Sequence, residues 1–113
     1  MSLSPSKFLQ FSASVRRINK RYKLIDYKEV MVLEAVLVAY VEKVSFSVLD
    51  LILLSEIASQ ATLHSVMKGL VAKKLIKTEL SKEDARRKYV LPTKIAFDWL
   101  QDSSDLLCSS AKK

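Results

Sequence analysis

The 113-residue sequence is short of nearly everything that builds turns and cross-links. It has one glycine, two prolines, one cysteine and one histidine. So little Gly and Pro argues against a sandwich or barrel full of tight turns and for helices joined by short connections. A lone Cys108 excludes an intrachain disulfide and suits a reducing compartment, so a cytoplasmic location is expected. A lone His64, far in sequence from that cysteine, supports neither a metal site nor a histidine-based catalytic pair. Glu34, Glu42, Asp50 and Glu56 have no spacing that specifies paired-carboxylate chemistry, and there is no phosphate-binding glycine loop. No metal, no cofactor and no enzymatic activity are expected. Long apolar runs are also missing: Ser45, Ser47 and Asp50 interrupt the stretch from Val44 to Leu54 well before the roughly 20 residues of a membrane span. The N-terminus does not pair a charged start with a long apolar block and a small-residue cleavage site, so no secretory signal is expected.

What is present is apolar bulk and positive charge. Half the residues are hydrophobic, enough at this length for one core and too few for two. The net charge of +7 is unevenly placed. Residues 1–28 carry seven Lys or Arg against Asp26 alone, and residues 60–94 carry nine against Glu79, Glu83 and Asp84, so each block is +6. Between them, residues 29–59 hold only Lys43 against five acids. Basic blocks of this kind attract polyanions, and charge alone does not choose between nucleic acid and anionic lipid.

Phe8, Phe11, Val15, Ile18 and Tyr22 recur at steps of three and four, which predicts an amphipathic first helix with Arg16, Arg17, Lys20 and Arg21 on its other faces. Taken alone such a helix also fits a membrane surface or a calmodulin-type partner; packing on its own domain is the commoner arrangement. A second helix is expected from an Asp26 cap to about Glu42, with so little polar face that it reads as the central core helix. Ser47 and Asp50 have capping-box spacing for a short third helix, whose run from Val48 to Leu54 is expected to be almost wholly buried. A fourth helix follows, from Ser59 or Thr62 to Lys74. Leu63, Val66, Met67, Leu70 and Val71 form its apolar stripe, and small, polar or basic residues, among them Thr62, His64, Ser65 and Lys68, its outer face. Short hydrogen-bonding side chains there suit close approach to another surface better than solvation alone.

The stretch SKEDARRKYVLPT (Ser81–Thr93) reads as a charged turn running into a return strand from Arg87 to Leu91, paired with a strand near Lys77–Glu79. Thr93 would cap a last helix carrying Phe97, Trp99 and Leu100, with residues 109–113 expected to fray. The order is helix, helix, short helix, turn, exposed-face helix, basic hairpin, helix. That is a mainly helical winged helix-turn-helix, in which the second helix of the pair enters the major groove. Base edges are then read by short or forked side chains and phosphates by the wing. The candidate DNA contacts are Ser59, Gln60, Thr62, His64, Ser65, Lys68 and Lys73 on a recognition helix at about 59–73. Lys82, Arg86, Arg87 and Lys88 join them from a wing at 77–91.

The segment SEIASQATLHSVMKGLVAKKLIKTELSKEDARRKYVLPT resembles the DNA-binding core of the MarR family of transcriptional regulators, and is similar to the related staphylococcal Sar regulators. The resemblance spans roughly residues 25–100 and is most specific in the wing, where Asp84, Arg86, Tyr89, Val90 and Thr93 fall in the family's places. It implies that Arg86 contacts DNA at the wing tip and that Asp84 positions it through an ion pair. It also implies a homodimer made by the terminal helices, here 1–24 and 93–108, with Phe8, Phe11, Val15, Ile18, Phe97, Trp99 and Leu100 as interface candidates. Each of these residues could instead complete the monomer core. Two positions depart from the family pattern. Lys74 replaces a glycine after the recognition helix, so the turn must be made without easy access to positive φ. Pro92 replaces a leucine and ends the strand by withholding a donor.

The favoured reading is a sequence-specific, double-stranded-DNA-binding regulator acting as a homodimer. The alternative is a winged-helix module that binds a protein partner or serves as an accessory nucleic-acid binder, because the scaffold serves both. An enzyme is a distant third. Regulation by abundance or by protein partners is expected rather than by a small effector.

Overall fold

Capping side chains set where the helices begin in the computed structural model, which describes residues 5–83 and 86–111. The elements run α1 (Pro5–Arg21), α2 (Tyr27–Val41), α3 (Val48–Ile52), α4 (Gln60–Ala72), β1 (Ile76–Leu80), β2 (Lys88–Pro92) and α5 (Lys94–Ala111). Asp26 caps α2 by accepting from Lys28 N at 2.8 Å, and Glu29 completes the box by accepting from Asp26 N at 3.2 Å. Ser47 and Asp50 form the expected reciprocal box at α3, at 3.0 and 2.9 Å. Ser59 caps α4, and Thr93 accepts from Ala96 N at the start of α5.

Lysines make the turns that a glycine-poor chain must make some other way. Lys23, Lys43 and Lys74 all adopt positive φ, at 65°, 59° and 64°, one residue beyond the caps of α1, α2 and α4. Each closes the same pair of bonds. Lys74 N donates to Val71 O and Leu75 N to Leu70 O; the pairs after α1 and α2 are equivalent. These are Schellman motifs, whose left-handed residue normally favours glycine. Two of the apolar residues that follow, Leu24 and Leu75, seal against the core. The lysine charges also lie where the carbonyl ends of the helices are negative.

The core gathers Leu33, Leu51, Leu63, Leu70, Leu75 and Ile76 around Val32 and Val36 of α2. Three expectations need correcting. The run 48–54 is not almost wholly buried: only Leu51 is sealed, while Leu49 and Leu53 are more than half exposed. A five-residue helix turns one residue toward the core, so apolar residues at every position must point elsewhere as well. Val71 is 40% exposed and sits at the edge of the α4 stripe rather than within it. Residues 109–111 are helical rather than frayed, and Cys108 is an exposed residue of α5. The core role of α2 holds for one face only, since Val38, Tyr40 and Val41 on it stay exposed.

Glu29 joins α2 to α4. Its Oε1 serves the α2 cap and also accepts from Ile25 N, while its Oε2 meets the Lys73 ammonium at the C-cap of α4. Gly69, the chain's single glycine, lies one turn earlier on α4, where an added Cβ would stand 3.5 Å from Glu29 Oε2, an ordinary contact. A second set of bonds ties α1 to α5: Trp99 Nε1 donates to Asn19 Oδ1 at 2.8 Å, and the Tyr22 hydroxyl donates to Asp102 Oδ2 at 2.6 Å, with Arg21 at 3.2 Å from the same oxygen. The molecule is elongated, 56 × 26 × 24 Å, with a radius of gyration of 15.9 Å, against about 13 Å for a compact globule of this length.

Two outcomes are expected. Gly69→Ala and Lys74→Gly each raise stability by about 0.5–1 kcal/mol, the first by removing a flexible helix-interior residue and the second by relieving a side chain from positive φ; thermal melts read both. Tyr22 has its pKa pushed up to about 12, chiefly by the hydrogen bond to Asp102, then by burial and by the Asp102 and Asp98 charges. The folded value exceeds the unfolded value of about 10, so the contribution is complete below that value and fades as pH rises through about 12. The stability gap between wild type and Tyr22→Phe should therefore narrow over that window in denaturant titrations.

Candidate nucleic-acid interface

The surface in question is built from α4 and the hairpin. Leu63, Val66, Met67 and Leu70 hold α4 to the core, which turns Gln60, His64, Ser65 and Lys68 outward. Thr62 is half-buried because it belongs to the cap: its backbone N lies 3.3 Å from Ser59 Oγ, which in turn donates to Thr62 Oγ1 at 3.1 Å. Ser59 itself is exposed. The exposed outer face thus has one cation, Lys68, among side chains able to donate and accept hydrogen bonds.

The hairpin begins where α4 ends, because the Lys74 turn delivers the chain from the α4 cap to Ile76. The strands pair antiparallel with Ile76 opposite Pro92 and Leu80 opposite Lys88. Ile76, Val90 and Pro92 are buried at the root, while residues 77–80 are exposed, so the wing stands out from the core. Two contacts fix its root. Val90 N donates to Phe46 O at 2.8 Å beside a bridge between Ser47 and Tyr89, and the Thr93 hydroxyl donates to Lys74 O at 2.7 Å. The first is an isolated bridge from the residues just ahead of α3 to the edge of the two-stranded sheet, which sequence reasoning missed; the single apolar Phe46 between two serines carried too little alternation to show it.

At the tip, Ser81 N donates to Arg87 O at 2.8 Å and Glu83 N to Ser81 Oγ at 3.1 Å. Lys82, Arg86, Arg87 and Lys88 are all exposed on this turn. Asp84, expected to position Arg86, lies outside the described residues. Lys73 is brought to α4 as expected but its ammonium is engaged by Glu29 and half-buried, so it faces the protein. Glu29 was the functional neighbour that the sequence hid: the box with Asp26 was legible, but its second oxygen acts across 44 residues of chain.

The interface candidates on the terminal helices separate into two groups. Ile18 and Trp99 are buried within the single chain. Phe8 is 68% exposed, as is its neighbour Leu9 at 63%. Phe11, Val15, Phe97 and Leu100 are half-buried, Phe97 with its ring edge-on to Tyr40 at 5.3 Å. Among the described residues no helix is long and apolar enough to cross a membrane, and no cluster of His, Cys, Asp and Glu could hold a metal ion.

No protein-family model and no curated protein sequence matches the chain. Solved structures do. The Staphylococcus aureus MepR–DNA complex aligns with a TM-score of 0.77 at 14% identity, over 91% of this chain and 73% of MepR. BpsR of Bordetella bronchiseptica, whose DNA binding is regulated by 6-hydroxynicotinic acid, aligns at 0.52 with 19% identity, over 93% and 74%. A MarR transcription factor from Planctomyces limnophilus also aligns at 0.52, with 14% identity over 99% and 83%. The chain thus shares the fold of these structures, a mainly helical winged helix-turn-helix with the helix pair α3–α4 and a small antiparallel hairpin.

Proposed function

We propose that the protein is a transcriptional regulator that binds double-stranded DNA as a homodimer, with α4 in the major groove and the hairpin on the backbone or in the adjacent minor groove. One observation carries this reading: a helix whose outer face offers short polar side chains runs directly into a projecting hairpin with four exposed cations at its tip. A helix presented in this way fits the width of the major groove, and cations beside it gain affinity by releasing counterions from phosphate. The likeness to MepR in its DNA complex supports the same assignment. Ser59, Gln60, Thr62, His64 and Ser65 are the proposed groove residues, with Lys68, Lys82, Arg86, Arg87 and Lys88 toward phosphate or base edges. Lys73 is left out of this set because Glu29 holds it. The exposed end of α1 and the half-buried Phe11, Val15, Phe97 and Leu100 are the proposed dimer surface, which would set two recognition helices about one DNA turn apart, roughly 34 Å.

Titration of fluorescent duplexes in salt tests the proposal. Lys68→Ala and Arg87→Ala should each weaken binding and reduce the slope of log K against log salt by about 1. Lys73→Met should lower stability yet leave that slope unchanged. Discrimination between a palindromic site selected from a random pool and unselected duplex should reach about a thousandfold. Binding that is equally weak on both duplexes would favour an accessory module over a regulator.

A further inference from the structure

Each base shows the major groove a different face. Guanine presents two acceptors, which a forked Arg or a Lys fills; cytosine presents a donor, which a carboxylate accepts; adenine presents an acceptor and a donor, which match a carboxamide; thymine presents a methyl group. Helix α4 is unevenly equipped for these four tasks. Gln60–Ala72 contains no acidic residue and no arginine, and all five arginines of the chain lie in α1 or in the hairpin turn. Lys68 is the one cation of the helix, and it lies two turns beyond Gln60, about 12 Å along the axis.

The readers at the start of the helix are those for A·T. Ser59 and Thr62 are not among them, because Ser59 Oγ accepts from Thr62 N at 3.3 Å and donates to Thr62 Oγ1 at 3.1 Å, which commits both hydroxyls to the cap. Between them Gln60 and Ala61 are exposed, and the Gln60 carboxamide makes no hydrogen bond among the described residues. They open α4, the end from which a recognition helix touches base edges. A carboxamide donates and accepts in one plane, so it pairs with adenine N6 and N7, and an alanine methyl packs on the methyl of thymine. One turn on, His64 and Ser65 each donate and accept and so discriminate less. In the minor groove every base pair presents acceptors and G·C adds a donor; Arg86 and Arg87 of the wing only donate, so they gain nothing from G·C. We infer that the half-site under α4 is rich in A·T, with Gln60 bidentate on an adenine and Ala61 against a neighbouring thymine methyl. The inference rests on the DNA-binding reading above and adds the class of sequence that the same surface reads.

Selection of sites from a random duplex pool tests it, with the full chain, Gln60→Ala and Gln60→Arg, and with circular dichroism to check that each variant folds. In the wild type an A·T pair at the Gln60 position of each half-site should be preferred over G·C at least about fivefold, the low end for one bidentate contact. In Gln60→Ala that preference should fall to within about twofold of none, while affinity for unselected duplex and the salt slope stay as they were, because no charge is removed. Gln60→Arg should turn the same pair toward G·C. Uracil in place of the neighbouring thymine removes only the methyl group, and should weaken the wild type about threefold but leave Ala61→Gly unaffected. A wild-type preference for G·C at the pair that Gln60→Ala relaxes, or no pair relaxed by Gln60→Ala, would overturn the inference and leave the DNA-binding reading in place. If no sequence is enriched over the pool, the regulator reading falls and the inference falls with it.

Discussion

The geometry of the candidate DNA surface depends on one carboxylate. Glu29 closes the cap of α2 with one oxygen and holds the end of α4 with the other, so the orientation of the outward helix is tied to the start of the central one. The arrangement is local and distant at once. Backbone N–H groups at the α2 terminus would be unsatisfied without it, and the Lys73 ammonium would be left half-buried without a counter-charge, which is the costly way to break such a pair. Gly69 leaves room for that carboxylate beside α4, although an alanine would also fit. The apolar stripe of α4 then needs only to fill the space that this joint defines.

From that joint the chain reaches the wing in three residues. The left-handed Lys74 turns it, Leu75 is sealed below, and Thr93 returns from the far strand to the Lys74 carbonyl. The hairpin is therefore clamped at both ends of its root while its tip projects. Rigidity at the base and cations at the tip is the division that a phosphate-tracking element requires. The same use of lysine at positive φ after α1 and α2 shows how a chain with one glycine makes three sharp helix ends, keeping a charge at each carbonyl terminus in exchange for some backbone strain.

Much of this was legible in the sequence because it is written in short-range chemistry. Asp26 with Glu29 and Ser47 with Asp50 announced two helix starts, and the stripe from Leu63 to Leu70 oriented α4. The turn between Leu80 and Lys88 announced the hairpin. What was hidden depends on three dimensions. Nothing at Lys73 distinguishes it from Lys68 until Glu29 is seen beside it. Leu49 and Leu53 look like core in a one-dimensional pattern, yet a helix of one and a half turns cannot bury every side. The aromatic and apolar residues of α1 and α5 share one periodicity, although Trp99 and Ile18 are buried within the single chain and Phe8 lies on its surface.

The charge pattern of the chain then has a single physical account. Under the proposed reading the exposed cations of α4 and the wing meet DNA, whereas the outer side of α2, edged by Glu34 and Glu42, does not. Backbone amide shifts followed by NMR during titration with duplex DNA test this most directly. The account predicts the largest shifts at 60–68, 82 and 86–88, with 31–42 nearly silent. Shifts concentrated on the outer face of α2, or none that track α4 and the wing tip, would contradict it.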